Sequence, residues 1–159
     1  TMISIEKDFS WIAPRLEKHE GCVLSPYKCT AGKLTIGIGH NCGAREFTPE
    51  EKKAIGDWRH GITRNAALML LRNDVEICLK RLAGLDFFPD LDSERQYALL
   101  DMCFQLGYGG LCCFSDMLEA MRFGDWEAAA SECLDSRYAR QTPRRAKRIA
   151  TLIRTGKWE

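Results

Sequence analysis

At 159 residues the chain is long enough for one core, or for two small lobes sharing a helix, and too short for two independent enzyme domains. Its 45% hydrophobic and 28% charged residues exclude the disordered and fibrous classes. The net charge of +1 hides an asymmetry: from Arg137 onward eight basic residues face one acid, which gives +7 there and −6 over the remainder. Such a basic end suits a polyanion or a solvated helix face.

In chain order, Phe9 to Glu20 carries Phe9, Ile12, Ala13 and Leu16 at one-sided helical spacing and stops at Gly21. Glu20 is thereby placed at a helix end. Val23 to Tyr27, Lys33 to Ile38 and a short piece after His40 read as a small antiparallel sheet with Gly-rich turns. Gly37 and Gly39 inside an apolar strand imply bending or close backbone approach. Thr48-Pro49-Glu50-Glu51 is a helix start, with the helix running to about Arg59 and ended by Gly61. Thr63 caps a longer apolar-periodic segment closed by Gly84, the best candidate for a helix joining two lobes. Further helices are expected over Ser93 to Leu106, Phe114 to Arg122 and Trp126 to Leu134, with a final one starting at Thr142 and Pro143. The fold class is α+β, predominantly α.

Eight cysteines have no spacing that suggests a disulfide framework, and the N-terminal residues lack a continuous apolar stretch. The expectation is a chain kept in a reducing cytoplasm, with no stable membrane insertion. Cys22, Cys29, His40 and Cys42 show no paired ligand spacing, so neither a metal nor another cofactor is expected. The glycines before His40 lack the pattern of a phosphate-binding loop.

The chemistry gathers at three residues. A carboxylic acid, Glu20, ends a helix, while a thiol, Cys29, and a hydroxyl, Thr35, follow on two short strands around the Ala31-Gly32 turn. That arrangement would let all three line a cleft able to cut a glycosidic bond. Glu20, eight residues, Cys29, five residues, Thr35, then Ile36-Gly37-Ile38-Gly39-His40 resembles the phage-type lysozymes of glycoside hydrolase family 24. The resemblance continues through Met102 to Gly107, Ser136-Arg137, Gln141 to Arg148, and Arg154 to Trp158, where it is close to the T-even members.

The resemblance implies a lysozyme-like, two-lobed fold. A sheet lobe of about 22–62 and a helical lobe of about 85–159 plus an N-terminal helix 1–21 would be joined by a helix of about 63–84. It implies an endolysin, a muramidase that hydrolyses the β-1,4 bond between N-acetylmuramic acid and N-acetylglucosamine in peptidoglycan. Glu20 would be the general acid and Arg145 its supporting partner, Thr35 would hold the attacking water, and Cys29 stands where T-even members carry Asp. Phe104 and Gln105 would line the cleft, and Met117 and Glu132 would take the places of a Ser and an Asn there. His40 would form a structural ion pair with Asp74. Partners would be peptidoglycan glycan strands and anionic wall polymers, with no nucleic acid. The protein would be a monomer, held in the host cytoplasm until a holin opens the membrane and then acting in the periplasm or cell wall. A thiol is mostly neutral near pH 7, and a neighbouring Glu20 would disfavour the thiolate further, so Cys29 is expected to be a weaker base than Asp. Base, water-positioner and nucleophile all remain open for it. A lytic transglycosylase and a non-catalytic wall-binding protein are the alternatives.

Overall fold

A computed structural model describes Thr1–Glu159 and divides into two compact units, Ser4–Ile77 on one side and Thr1–Ile3 with Cys78–Glu159 on the other. The first is the sheet unit. Its helix α1 spans Ile5–Glu20, starting before the expected Phe9 because the Ser4 hydroxyl accepts from Lys7 N–H while Asp8 accepts from the Ser4 N–H. This helix lies in the same compact unit as the strands, and Glu17 near its end accepts two hydrogen bonds, of 2.7 and 3.0 Å, from the Arg64 guanidinium.

Strands β1 (Val23–Lys28), β2 (Leu34–Gly37) and β3 (His40–Asn41) form an antiparallel sheet in sequence order. Tyr27 opposes Thr35, and Thr35 in turn opposes Asn41. Ile36 is fully buried with Ile55, Ile62, Ala66, Ala67 and Leu70, and Cys22, Cys42, Phe47 and Trp58 pack against that core. Gly37 has φ +69°, and a Cβ there would lie 3.2 Å from the Ala67 side chain, so the anticipated close approach is real.

Helix α2 (Pro49–Ile55) has a complete capping box between Thr48 and Glu51, but it ends four residues short of the expected Arg59. Gly56, at φ +53°, takes the chain out of the helix, and Trp58–His60 forms a separate 3₁₀ turn. Helix α3 then spans Arg64–Leu82, with the Thr63 hydroxyl accepting from Ala66 N–H, and the division between units falls within it.

One charge network holds the sheet unit's periphery. Arg45, in the loop after β3, donates to both oxygens of Glu51 at 2.7 and 2.8 Å and to Asp74 of α3 at 2.8 and 3.2 Å. Asn73 adds a hydrogen bond to Glu51 at 2.9 Å. Glu51 is completely buried, and His40, 2% exposed, meets the other Asp74 oxygen at 2.6 Å. The expected His40–Asp74 pair is therefore present within this unit.

The helical unit contains the rest of α3, then α4 (Ser93–Cys112), α5 (Ser115–Arg122), α6 (Trp126–Leu134), α7 (Arg137–Gln141) and α8 (Pro143–Thr155). Helix α4 runs beyond the expected Leu106, with a break at Gly107, where φ is +77°. The five-residue α7 is too short to show periodicity and was not anticipated. Buried Gln96 ties the N-terminal residues to α4 by accepting from Ile3 N–H at 2.7 Å while its amide donates to the Phe88, Leu91 and Thr1 carbonyls. Arg95 likewise donates to the Ile153 and Arg154 carbonyls at the end of α8 and covers the Trp126 ring. Tyr97, Leu99, Leu100, Met102, Ile149 and Ile153 are among its fully buried core residues.

Burial alone raises the Glu51 carboxyl, but hydrogen bonds from Arg45, Asn73 and Thr48 and the Arg45 charge outweigh it and bring the carboxyl to about 2. A carboxylate depressed in the folded state stabilises above its unfolded pKa and loses that contribution as pH falls through the folded value. Glu51 should therefore contribute on the order of 3 kcal/mol above pH 4.5, lost between about 4.5 and 2. Thermal unfolding followed against pH should show a steep acid limb that flattens in Glu51→Gln. Arg45→Met, which strands the buried carboxylate, should cost about 3 to 5 kcal/mol at neutral pH.

Candidate active site

Glu20 is the last residue of α1, and Gly21 turns the chain with φ +74° into β1. Half-buried, its carboxylate lies against Gly39, where an added Cβ would come within 2.7 Å of Oε1 and 2.9 Å of Cγ. Only glycine fits there twice over, because φ is also +67°. The glycine run before His40 is thus the seat of the carboxylate.

Cys29 and Thr35 come from the β1–β2 hairpin, whose turn is closed by Cys29 N–H donating to the Lys33 carbonyl at 3.0 Å and Gly32 N–H donating to the Cys29 carbonyl at 2.8 Å. The buried Thr35 hydroxyl donates to the same Lys33 carbonyl at 2.8 Å. One backbone oxygen therefore fixes both the thiol-bearing residue and the hydroxyl. Sequence reasoning passed over Lys33, because a carbonyl's role depends on turn geometry and not on side-chain identity.

The thiol departs from expectation. Burial pushes it up, but the Lys33 and Ala31 backbone N–H groups, the Thr35 hydroxyl and the Lys33 charge together bring Cys29 below the ordinary thiol range. The anticipated suppression by Glu20 does not prevail, since the turn aims backbone donors at sulfur. Tyr27, across from Thr35, is raised by burial, with the charges of Glu20 and Cys29 adding to it. Its phenol thus lies within the electrostatic reach of both groups, a neighbour that the sequence did not single out. By contrast Cys133, sealed in the helical unit, is pushed up to about 12 by burial alone.

In the helical unit Arg145 donates from Nε to Asp101 at 2.8 Å, and fully buried Asp101 also accepts from the Tyr97 hydroxyl at 2.9 Å. Asp101 was not anticipated, although its place in the apolar face of α4 marks it as a buried charge in need of a cation. Gln105 is half-buried and donates to the Thr142 hydroxyl at 3.2 Å, and Phe104 beside it is half-buried. Glu132 is exposed on α6. Met117 is fully buried among the core residues of α5, which leaves it no surface to offer a saccharide and corrects the expectation of a binding role.

Two measurements probe this geometry. Gly39→Ala should lower stability by about 1 to 3 kcal/mol, from the left-handed backbone and the collision with Glu20. In a Glu20→Ala background, which removes the colliding atoms, that cost should shrink by at least about 1 kcal/mol. For Cys29, alkylation by iodoacetamide mapped by mass spectrometry should show a pH midpoint below that of a free thiol, moving upward in Thr35→Val. Cys133 should stay unmodified over the same range.

The model of the phage lysozyme family matches residues 17–158, nearly the whole chain and all of the site residues just described. The chain is 32% identical over 162 residues to the pre-baseplate central spike protein Gp5 of Enterobacteria phage T4, covering 93% of this chain but only 28% of that protein. Similarity to probable T4-type lysozyme 1 of Dictyostelium discoideum is 31% and spans 92% of this chain and 95% of that one. An endolysin of Acyrthosiphon pisum secondary endosymbiont phage 1 is 26% identical over 117 residues, 74% of this chain and 70% of the relative. With a predominantly helical α+β fold, a three-stranded antiparallel sheet and this family match along its length, the chain belongs to the phage lysozyme family.

Proposed function

We propose that the protein is a lysozyme-like, wall-lytic glycosidase, and specifically a muramidase that hydrolyses the β-1,4 bond between N-acetylmuramic acid and N-acetylglucosamine. The observation that carries this reading is a carboxylate seated on Gly39 in the same unit as a thiol and a hydroxyl anchored to one carbonyl. Family membership and the names of the similar lysozymes and endolysin support it.

Glu20 acts as the general acid, giving its proton to the leaving glycosidic oxygen as positive charge develops on the sugar ring. Cys29 takes the base's place. With Thr35 it orients a water on the opposite side of the ring, and as thiolate it accepts that water's proton. Water then forms the new bond to the anomeric carbon while the glycosidic bond breaks, so the configuration inverts. Inverting enzymes keep acid and base roughly 6.5 to 9.5 Å apart to admit this water. The basic end from Arg137 onward attracts anionic wall polymers. In a host, the enzyme stays in the cytoplasm as a monomer until a holin opens the membrane.

Glu20→Gln should keep its thermal stability and lose more than 100-fold in rate, because the amide has no proton to give. Cys29→Ala should lose most activity, whereas Cys29→Asp should retain it. Analysis of the new reducing end separates the possible reactions. An inverted anomer supports the assignment, a retained anomer with a trapped glycosyl-Cys29 adduct replaces it with direct attack by sulfur, and an anhydro sugar replaces it with a transglycosylase. Full activity in Cys29→Ala would leave Glu20 and Thr35 as the catalytic pair.

A further inference from the structure

A cavity of about 630 Å³ lies within the sheet unit, lined by Lys33, Leu34, Asn41, Cys42, Trp58 and Arg59 among others. Glu20, Cys29 and Thr35 are not part of its wall. Its chemistry differs from theirs. Lys33 and Arg59 are exposed, neither forms an ion pair, and the lining has no carboxylate, so this concave surface is bordered by two cations, of which Lys33 also acts on the Cys29 thiol. The Arg59 guanidinium lies over the Trp58 ring at 4.5 Å, closing that face to a stacked sugar, and Phe47 meets the same ring edge-on. Asn41 accepts from Gly43 N–H through Oδ1 at 3.0 Å, which leaves its amide N–H groups as donors. Cationic, donor-rich and poor in acceptors, the cavity suits a carboxylate.

Its position narrows the occupant. Asn41 is the cross-strand partner of Thr35, so these two side chains share a face of the sheet, whereas Leu34 and Cys42 alternate to the other. The cavity therefore wraps round the margin of the sheet, beginning one strand spacing, about 4.8 Å, from Thr35. An extended chain advances about 3.3 Å per residue, so a few residues hanging from a sugar held over Thr35 would reach both cations.

We infer that this cavity binds a free carboxylate of the peptide stem carried by muramic acid, an inference that rests on the function proposed above. It would read the decoration of the glycan separately from the bond being cut. The test is an NMR titration of the whole protein with three probes at matched ionic strength: a soluble stem tetrapeptide with free carboxylates, the same peptide fully amidated, and inorganic phosphate. The free-acid peptide should shift the Trp58 indole N–H and the Gly43 and Ala44 amides. It should bind at least 5-fold more weakly after amidation or in Arg59→Gln, with partial recovery in Arg59→Lys. Equal binding of the amidated peptide, an unchanged Arg59→Gln, or equal shifts with phosphate would each overturn the inference, the last reducing the cavity to a plain anion site. Hydrolysis of peptide-free glycan by the wild type, measured in parallel, keeps the two readings apart. Hydrolysis without peptide-induced shifts removes only the inference, whereas peptide-induced shifts without hydrolysis remove the proposed function.

Discussion

The sheet unit depends on a buried charge with no freedom to move. Glu51 gives up water completely, and its cost is offset only because Arg45, Asn73 and the Thr48 N–H converge on its two oxygens. Each donor comes from a different region of the chain: the loop after β3, the start of α2 and the middle of α3. Arg45 continues to Asp74, and Asp74 to His40 in β3, so the last strand is tied through three side chains to two helices. Three strands of six, four and two residues make a sheet too small to stand on its own ladder. The network supplies the rigidity that backbone pairing cannot, and the hairpin that carries Cys29 and Thr35 inherits it through β2.

Rigidity matters because the seat of Glu20 has no slack. At Gly39 the backbone takes a conformation that side chains avoid, in order to let the carboxylate approach within what would be the volume of a Cβ. Gly37, on the preceding strand, admits Ala67 of α3 in the same way. Both glycines cost conformational entropy on folding, and their neighbours Ile36 and Ile38, almost completely buried, offset that cost by hydrophobic burial. Close approach at the Glu20 carboxylate and burial of an apolar strand are thus interleaved residue by residue.

Much of this is legible in the sequence, and for identifiable reasons. Thr48-Pro49 announces a helix start because proline and a capping hydroxyl satisfy the first turn locally, Pro143 marks the last helix although the Thr142 hydroxyl donates back to the Tyr138 carbonyl instead of capping, and the glycine run announces close approach because few other causes place glycine in an apolar strand. Glu20, Cys29 and Thr35 stand out by their spacing, and the His40–Asp74 pair follows from the family resemblance that this spacing carries. What escapes depends on three-dimensional convergence. Gly56 ends α2 because the chain must turn there toward Trp58, although Gly61 looks the stronger stop. Asp101 shows its role only once Arg145 is beside it. Met117, at a position read as cleft lining, is fully buried because α5 turns that face inward. The lowered Cys29 thiol runs against the sequence reading because its donors include backbone N–H groups, which no residue name reveals.

Those same donors make the ionisation of Cys29 and the orientation of Thr35 one event. The Thr35 hydroxyl has a single proton, and with the Lys33 carbonyl as its acceptor at 2.8 Å the oxygen's lone pairs remain open to a donor such as a neutral thiol. Once sulfur is a thiolate it has no proton to give, and a hydrogen bond from Thr35 requires the hydroxyl to turn away from Lys33. The Lys33 carbonyl then keeps only the Cys29 N–H at 3.0 Å, which preserves the turn while the hydroxyl changes allegiance. A carboxylate in the same place would accept from several donors at once without such a choice, because it has two oxygens and about four lone-pair sites. Sulfur at this position therefore differs from a carboxylate in more than basicity. It makes the Thr35 hydroxyl a group whose direction follows the charge beside it, and the shared carbonyl of Lys33 is what lets that exchange occur without moving the strand.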